Sequence, residues 1–293
     1  MIETDNRDIA DKISALGKID ILVGIPSYNS AKTIAHVVKA VEAGLFKYFP
    51  HCKSLLVNSD GGSTDGTMEA VRDTTVDLES ILIDRKADQF RKFVTPYHGI
   101  PGKGSAFRTI FEIARDLNVK ACAVVDSDLR SITPEWIELL IKPVLEDHYD
   151  YVSPYYMRHK YDGTITNSIV YPLTRALYGK RIRQPIGGDF GFSGRLASFY
   201  LTKDVWETDV ARFGIDIWMT TTAVANGFRI CQAFLGAKIH DAKDPGSDLS
   251  AMLHQVVSSV FNLMEEYAGV WRDISKSEPV RTFGFAYSVG LEP

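Results

Sequence analysis

At 293 residues, with 45% apolar and 24% charged side chains, the chain has the composition of a folded globular protein with a well-buried core. A formal net charge of -4 excludes a broad basic field for nucleic acid or an anionic bilayer, so an anionic ligand must be met by local donors or a metal. Cys52, Cys122 and Cys231 are too few and too scattered for a disulfide framework or a zinc cluster, and the last two lie inside apolar runs as core residues.

Taken in order, residues 1–18 carry Ile9, Ile13 and Leu16 at helical spacing and no apolar signal segment. No later run reaches the length of a membrane span, so a cytoplasmic protein is expected. Residues 19–25 are a continuous apolar run, hence a strand, ending in Pro26-Ser27-Tyr28-Asn29. Residues 33–46 then show helical periodicity. Residues 54–57 predict a second strand, followed by the turn-rich Asn58-Ser59-Asp60-Gly61-Gly62-Ser63-Thr64-Asp65-Gly66-Thr67 and a helix opening at Met68, with Ser63 or Thr64 as its cap. Residues 80–84 and 93–97 are two more candidate strands. Residues 98–104 form a glycine-rich basic loop around Lys103 that enters a helix over 105–117, without the spacing of a P-loop. The apolar run 121–125 stops abruptly in Asp126-Ser127-Asp128. In open α/β sheets ligands sit at the carboxyl ends of strands, so two carboxylates there are candidates to hold a metal or ligand. A helix capped by Thr133, with Pro134 in its first turn, runs to Leu145. This repeated strand, loop and helix predicts an α/β fold with a mostly parallel sheet flanked by helices.

The second half predicts a strand over 149–157 ending in Arg158-His159-Lys160, and a helix over 165–178 after the Gly163-Thr164 turn. The glycine-bearing loop Gln184-Pro185-Ile186-Gly187-Gly188-Asp189-Phe190-Gly191 follows, then a helix from Ile215 and Asp216 to Ala225. A strand or hairpin over 228–239 delivers His240, a long amphipathic helix covers 249–268, and an irregular tail covers 278–293.

In this order the motifs resemble those of GT-A glycosyltransferases, and among them the retaining enzymes of the glucosyl-3-phosphoglycerate synthase and mannosylglycerate synthase type. The resemblance spans residues 21–240. It implies a Rossmann-like GT-A domain with a nucleotide-sugar-binding half over 19–128 and an acceptor-binding half over 129–246, between an N-terminal helix (1–18) and a C-terminal helix and tail (247–293). Pro26, Ser27, Tyr28 and Asn29 are similar to the first nucleotide-contacting loop. Asp60 leads a D-x-G-S-T-D segment, Lys103 matches the lysine that reaches the nucleotide, and Asp126-Ser127-Asp128 is the D-x-D motif. The Gln184-Pro185-Ile186-Gly187-Gly188-Asp189 segment is the most specific match, with Gly187 and Gly188 against the donor. His240 falls at the third metal contact. The resemblance therefore implies a nucleotide-diphosphate hexose, UDP- or GDP-linked, and a divalent cation, Mg²⁺ or Mn²⁺, held by Asp126, Asp128 and His240, with possible homodimerisation. Relatives of the mannosylglycerate type continue beyond the segment similar to 278–293, so the chain is either a short member or a truncated one.

A cation bridging the diphosphate takes charge from the leaving group, which is why two carboxylates and an imidazole suit the site. The resemblance implies front-face attack with the acceptor hydroxyl oriented by the backbone carbonyl of Ile186. Asp189 and Asp216 stay open as general base, nucleophile or helix-entry residues. Arg158 is similar to the arginine that binds the glycerate carboxylate, with Thr164 and Thr166 beside it. The phosphoglycerate enzymes have an arginine after the glycine where this chain has Thr164, which argues against a phosphorylated acceptor. Ser30 also replaces an acidic residue, leaving the nucleotide open. The expected activity is transfer of glucose or mannose to glycerate or a related small hydroxy acid, giving an α-glycoside. The alternatives are 3-phosphoglycerate as acceptor, an inverting family-2-like enzyme, or a nucleotide-sugar-binding subunit without catalysis.

Overall fold

The computed structural model describes residue 13 and residues 15–74, 89–158, 163–240 and 245–284. The expected strand over 80–84, most of the expected helix over 1–18, and the tail beyond 284 lie outside the described residues. The first half runs β1 (Ile21–Ser27), α1 (Ile34–Tyr48), β2 (Ser54–Asp60), α2 (Thr67–Asp73), β3 (Phe90–Pro96), α3 (Lys103–Asp116), β4 (Ala121–Val124) and α4 (Pro134–Leu145). The second half runs β5 (Tyr151–Met157), a π-helical turn (Thr166–Val170) leading into α5 (Tyr171–Tyr178), β6 (Lys180–Arg181), β7 (Phe190–Ser193) and α6 (Gly194–Tyr200). A 3₁₀ turn (Asp209–Ala211), α7 (Ile215–Ala225), β8 (Ile230–Ala237), α8 (Pro245–Glu266), α9 (Ala268–Trp271), β9 (Glu278–Pro279) and β10 (Thr282–Phe283) complete the chain.

Eight strands form one sheet in the order β10-β8-β5-β7-β4-β1-β2-β3. Every residue of β1 and β2 is buried, as expected for parallel strands covered on both faces. On one face α1 and α4 pack through Val37, Val41, Ile137 and Leu140; on the other, α3 brings Phe107, Ile110 and Phe111 against Phe192, Tyr200 and Trp218. No helix among the described residues is long and apolar enough to cross a membrane.

The hydropathy pattern did not separate strand β7 from the loop before it, and it did not single out the two-residue strands β6, β9 and β10, the last two of which lie in the tail expected to be irregular. Strand β7 is four residues long and contains Gly191, so it carries too little periodicity to stand out. It runs antiparallel to both β4 and β5. Its beginning therefore lies at the same edge where β1, β2, β4, β5 and β8 end, and the turn Gly187-Gly188-Asp189 is delivered beside Asp126.

Local details also differ from expectation. Neither Ser63 nor Thr64 caps α2; Gly66 takes that place in the left-handed region at φ 90°, and Asp65 Oδ1 accepts from the Thr67 amide at 3.1 Å. Thr133 precedes α4 without a side-chain cap bond. The helix expected from Ser105 begins at Lys103, which puts that lysine in the first turn. The helix expected over 165–178 opens with a π-helical turn.

Candidate active site

Three loops at the carboxyl edge are sewn together before any functional group is presented. Ser27 Oγ donates to Asp60 Oδ1 at 2.8 Å, and Asn58 Nδ2 donates to Ser27 Oγ at 2.8 Å. Asp60 Oδ2 accepts from the amides of Gly62 and Ser63 at 2.9 and 2.7 Å. Asp60 is thus buried, and it braces its own turn against the end of β1. Asn29, at φ 48°, accepts from the Thr64 amide through Oδ1 at 3.0 Å. Ser30 Oγ lies 2.9 Å from Ser127 Oγ, and Thr33 Oγ1 donates to the Ser127 carbonyl at 2.9 Å. Pro26, one residue before the end of β1, is buried, whereas Tyr28 stands 65% exposed at the rim.

At the centre lies a cluster of three carboxylates and two ammonium groups. Asp126 Oδ1 is 2.8 Å from Lys103 Nζ, and Asp126 Oδ2 is 2.7 Å from Lys238 Nζ. Lys103 also reaches Asp216 Oδ1 at 3.3 Å. Lys238 has a side chain only 4% exposed and donates to Asp189 Oδ2 and to the Gly187 carbonyl, both at 2.7 Å. Asp189 is fully buried: Oδ1 accepts from the Asp126 amide at 2.8 Å and Oδ2 also accepts from the Tyr156 hydroxyl. A carboxylate so enclosed has no surface from which to attack a sugar carbon or take a proton from an acceptor. Asp189 holds the D-x-D backbone in place.

Burial opposes charge on both lysines, but Asp126, with Asp216 for Lys103 and Asp189 for Lys238, outweighs it and raises both lysine pKa values. Burial likewise works to raise Asp126, and the two ammonium groups override it, holding the carboxyl well below the usual range. For Asp189 burial wins: Lys238 pulls its pKa down, the Asp126 carboxylate pushes it up, and the net direction is upward.

Glycine is required at two places here. Gly188 sits at φ 85°, and a Cβ there would collide with the Asp126 carboxylate. A Cβ at Gly104 would strike the carbonyl of Val210, so the first turn of α3, which carries Lys103, is pressed against the 3₁₀ turn.

The expected metal ligands are brought close by backbone pairing. Leu129 and His240 form an isolated antiparallel bridge, reinforced by the Arg130 amide donating to the Ile239 carbonyl at 2.9 Å, so His240 lies beside the D-x-D segment. Two carboxylates and one imidazole suit Mg²⁺ or Mn²⁺ in kind. Among the described residues, however, no three His, Cys, Asp or Glu side chains converge where they could hold a metal. Asp126 is instead engaged by Lys103 and Lys238, so the donor set fits a cation in type and backbone placement only.

On the far side, Arg158 lies over the Tyr156 ring at 5.1 Å, and its buried Nε has no hydrogen-bond partner among the described residues. Gly163 is adjacent, with Arg158 Nη1 3.4 Å from where a Cβ would stand. Thr166 is buried at the start of the π-helical turn and Thr164 is exposed. Ile186 is partly buried between Pro185, whose carbonyl accepts from Thr220 Oγ1 at 2.7 Å, and Gly187. Lys238 is the site residue that sequence reasoning missed. Its one visible signal is a lysine two positions before His240, at the end of an apolar strand.

Comparison with known proteins bears on the family and the fold. Residues 28–262 match the family described as mannosylglycerate synthase, GT domain. The chain belongs to that glycosyltransferase family. No curated protein matches it by sequence. Among solved structures, it is similar to glucosyl-3-phosphoglycerate synthase from Mycobacterium tuberculosis in complex with Mn²⁺, UDP-glucose and phosphoglyceric acid, at TM-score 0.61 and 20% identity, covering 87% of this chain and 83% of that one. The same enzyme with Mn²⁺, UDP and glucosyl-3-phosphoglycerate gives TM-score 0.62 and 21% identity over 90% and 85% of the two chains. A further structure, described only as a mycobacterial protein, gives TM-score 0.59 at 22% identity over 87% and 78%. The family fold is therefore the one observed: a mostly parallel sheet flanked by helices, with the motif loops gathered at its carboxyl edge.

Proposed function

We propose that the chain is a retaining, divalent-cation-dependent hexosyltransferase that moves glucose or mannose from a UDP- or GDP-linked donor to glycerate or a related small hydroxy acid, giving an α-glycoside. The observation that carries the acceptor half is Arg158, whose buried Nε is left without a partner among the described residues. A buried donor of that kind costs free energy unless a ligand supplies an acceptor, and a guanidinium fork suits a carboxylate. The absence of an arginine at Thr164 favours glycerate over its phosphate, although the Mycobacterium tuberculosis relative was crystallised with phosphoglyceric acid.

In this reading residues 19–128 meet the nucleotide and residues 129–246 meet the acceptor. Lys103, in the first turn of α3, faces the diphosphate, where the helix terminus also favours negative charge. Tyr28 and Asn29 border the nucleoside. Asp126, Asp128 and His240 are the residues that would hold Mg²⁺ or Mn²⁺, which when bound would supply Lewis-acid stabilisation of the departing diphosphate. Asp189 is buried and Asp216 Oδ1 faces Lys103, so neither carboxylate is placed as nucleophile. This supports orientation of the acceptor hydroxyl by the Ile186 carbonyl and transfer on the same face.

The test is an NMR-monitored assay of the protein with UDP-glucose, GDP-glucose and GDP-mannose against D-glycerate and 3-phosphoglycerate. An α-linked hexosylglycerate is expected. A β-linked product would sink the retaining assignment, and donor binding without turnover on either acceptor would count against the enzyme.

A further inference from the structure

We infer that Tyr156 is a positioning residue for the transfer: its ring sets the guanidinium of Arg158, and its hydroxyl, through Asp189, sets the backbone of Asp126. The inference rests on the reading of Arg158 as the acceptor-binding arginine and adds to it the side chain that holds the acceptor and donor halves in one frame.

Tyr156 lies one residue before the end of β5 and is buried. Two positions on, in extended chain, the side chain of Arg158 leaves on the same side, and its guanidinium comes to rest over the Tyr156 ring, 5.1 Å from the centroid. Its buried Nε has no hydrogen-bond partner among the described residues, so the aromatic face, which attracts a cation through its quadrupole, is the surface that orients the fork. The ring is itself held. The Lys238 ammonium lies 5.3 Å from the same centroid, and the Trp136 ring, 5.7 Å away and tilted by 38°, packs against it from α4.

The hydroxyl has one proton to give. The Gly187 carbonyl, 3.3 Å away, already accepts from Lys238 at 2.7 Å, so the proton goes to Asp189 Oδ2. The other oxygen of that carboxylate accepts from the Asp126 amide at 2.8 Å. Burial, reinforced by the Asp189 charge, pushes the phenol well above its usual range, so it stays a donor at neutral pH. One side chain thus runs from the acceptor arginine to the buried carboxylate that holds the D-x-D backbone. Transfer on one face requires the acceptor hydroxyl and the sugar carbon to be placed together, and an ångström of misplacement costs about 100-fold in rate. Tyr156 acts on that placement through Arg158 and Asp189.

The experiment titrates the full chain with D-glycerate, read by ligand-observed NMR, and follows hexosyl transfer to D-glycerate from UDP-glucose, GDP-glucose and GDP-mannose. Tyr156→Phe keeps the ring and deletes the hydroxyl: the glycerate Kd is expected to stay near the wild-type value while turnover falls about tenfold. Tyr156→Leu deletes the ring as well: the Kd is expected to rise roughly 3- to 30-fold, the scale of a desolvated cation–π contact. Arg158→Ala should then weaken glycerate binding less in the Tyr156→Leu background than in the Tyr156→Phe background. Tyr156→Met repeats the ring test if the leucine variant does not fold. A merely structural ring would lower the melting temperature of Tyr156→Leu and leave the Arg158→Ala effect equal in both backgrounds, which would overturn the inference while the acceptor reading stands. Wild-type turnover in Tyr156→Phe would overturn it too. Glycerate binding that is absent from the wild type, or indifferent to Arg158→Ala, would overturn the acceptor reading and the inference with it.

Discussion

Lys238→Met is the sharpest perturbation this architecture offers. Methionine matches the length and flexibility of lysine but deletes the ammonium, so Asp189, fully buried, loses its 2.7 Å partner, and the Gly187 carbonyl loses a donor. Removing one partner of a buried pair costs about 3–5 kcal/mol, because the remaining charge stays buried and uncompensated. In a domain of this size about 1 kcal/mol moves the melting temperature by roughly 2–4 °C, so a fall of roughly 10 °C is expected by calorimetry. The double variant Lys238→Met/Asp189→Asn removes the stranded charge and should recover at least half of that fall. The coupling in the four-corner cycle would then be well above the roughly 0.5 kcal/mol found for independent sites. A melting temperature within about 2 °C of wild type for Lys238→Met, or strictly additive single variants, would refute the claim that this lysine is a buried counter-ion.

Further outcomes follow from the same geometry. Because the Lys238 pKa is raised on folding, its contribution is fully present below the unfolded value of about 10.4 and is lost as pH rises through the folded value. The stability gap between wild type and Lys238→Met should therefore narrow on titration above that pH, and a constant gap would contradict the assignment. Gly188→Ala forces a Cβ into the Asp126 carboxylate from a left-handed backbone; activity should fall about 100-fold, the scale of an ångström-sized misplacement, and steady-state kinetics would expose a milder effect. Arg158→Ala removes a charge-assisted contact worth about 1.5–3 kcal/mol, so the acceptor KM should rise roughly 10- to 100-fold with the donor KM unchanged. Burial pushes the thiols of Cys122 and Cys231 up, while Cys52 is partly exposed; a thiol reagent at pH 8 should label Cys52 first and the other two only on unfolding.

The sequence by itself determined the class of fold, because β1 and β2 are apolar along their length and the loops after them are dense in Ser, Asp and Gly, a pattern that local chemistry enforces. It also determined which segments would meet: Asp126-Ser127-Asp128, the Lys103 loop and the Gly187-Gly188-Asp189 turn do lie at one sheet edge. What only the tertiary structure decided is what each side chain faces. Asp60 leads one of the motif segments, yet its oxygens accept from Ser27, Gly62 and Ser63. Asp189 looked open to base or nucleophile chemistry, and burial removes it from reach. Lys238 drew no attention as one lysine near a strand end, since its importance arises from β8 and the reversed strand β7 bringing it to Asp126, Asp189 and Gly187. A motif specifies residue types along a chain. The charge a buried group must balance is set by neighbours distant in sequence, and these become definite only when the sheet is assembled.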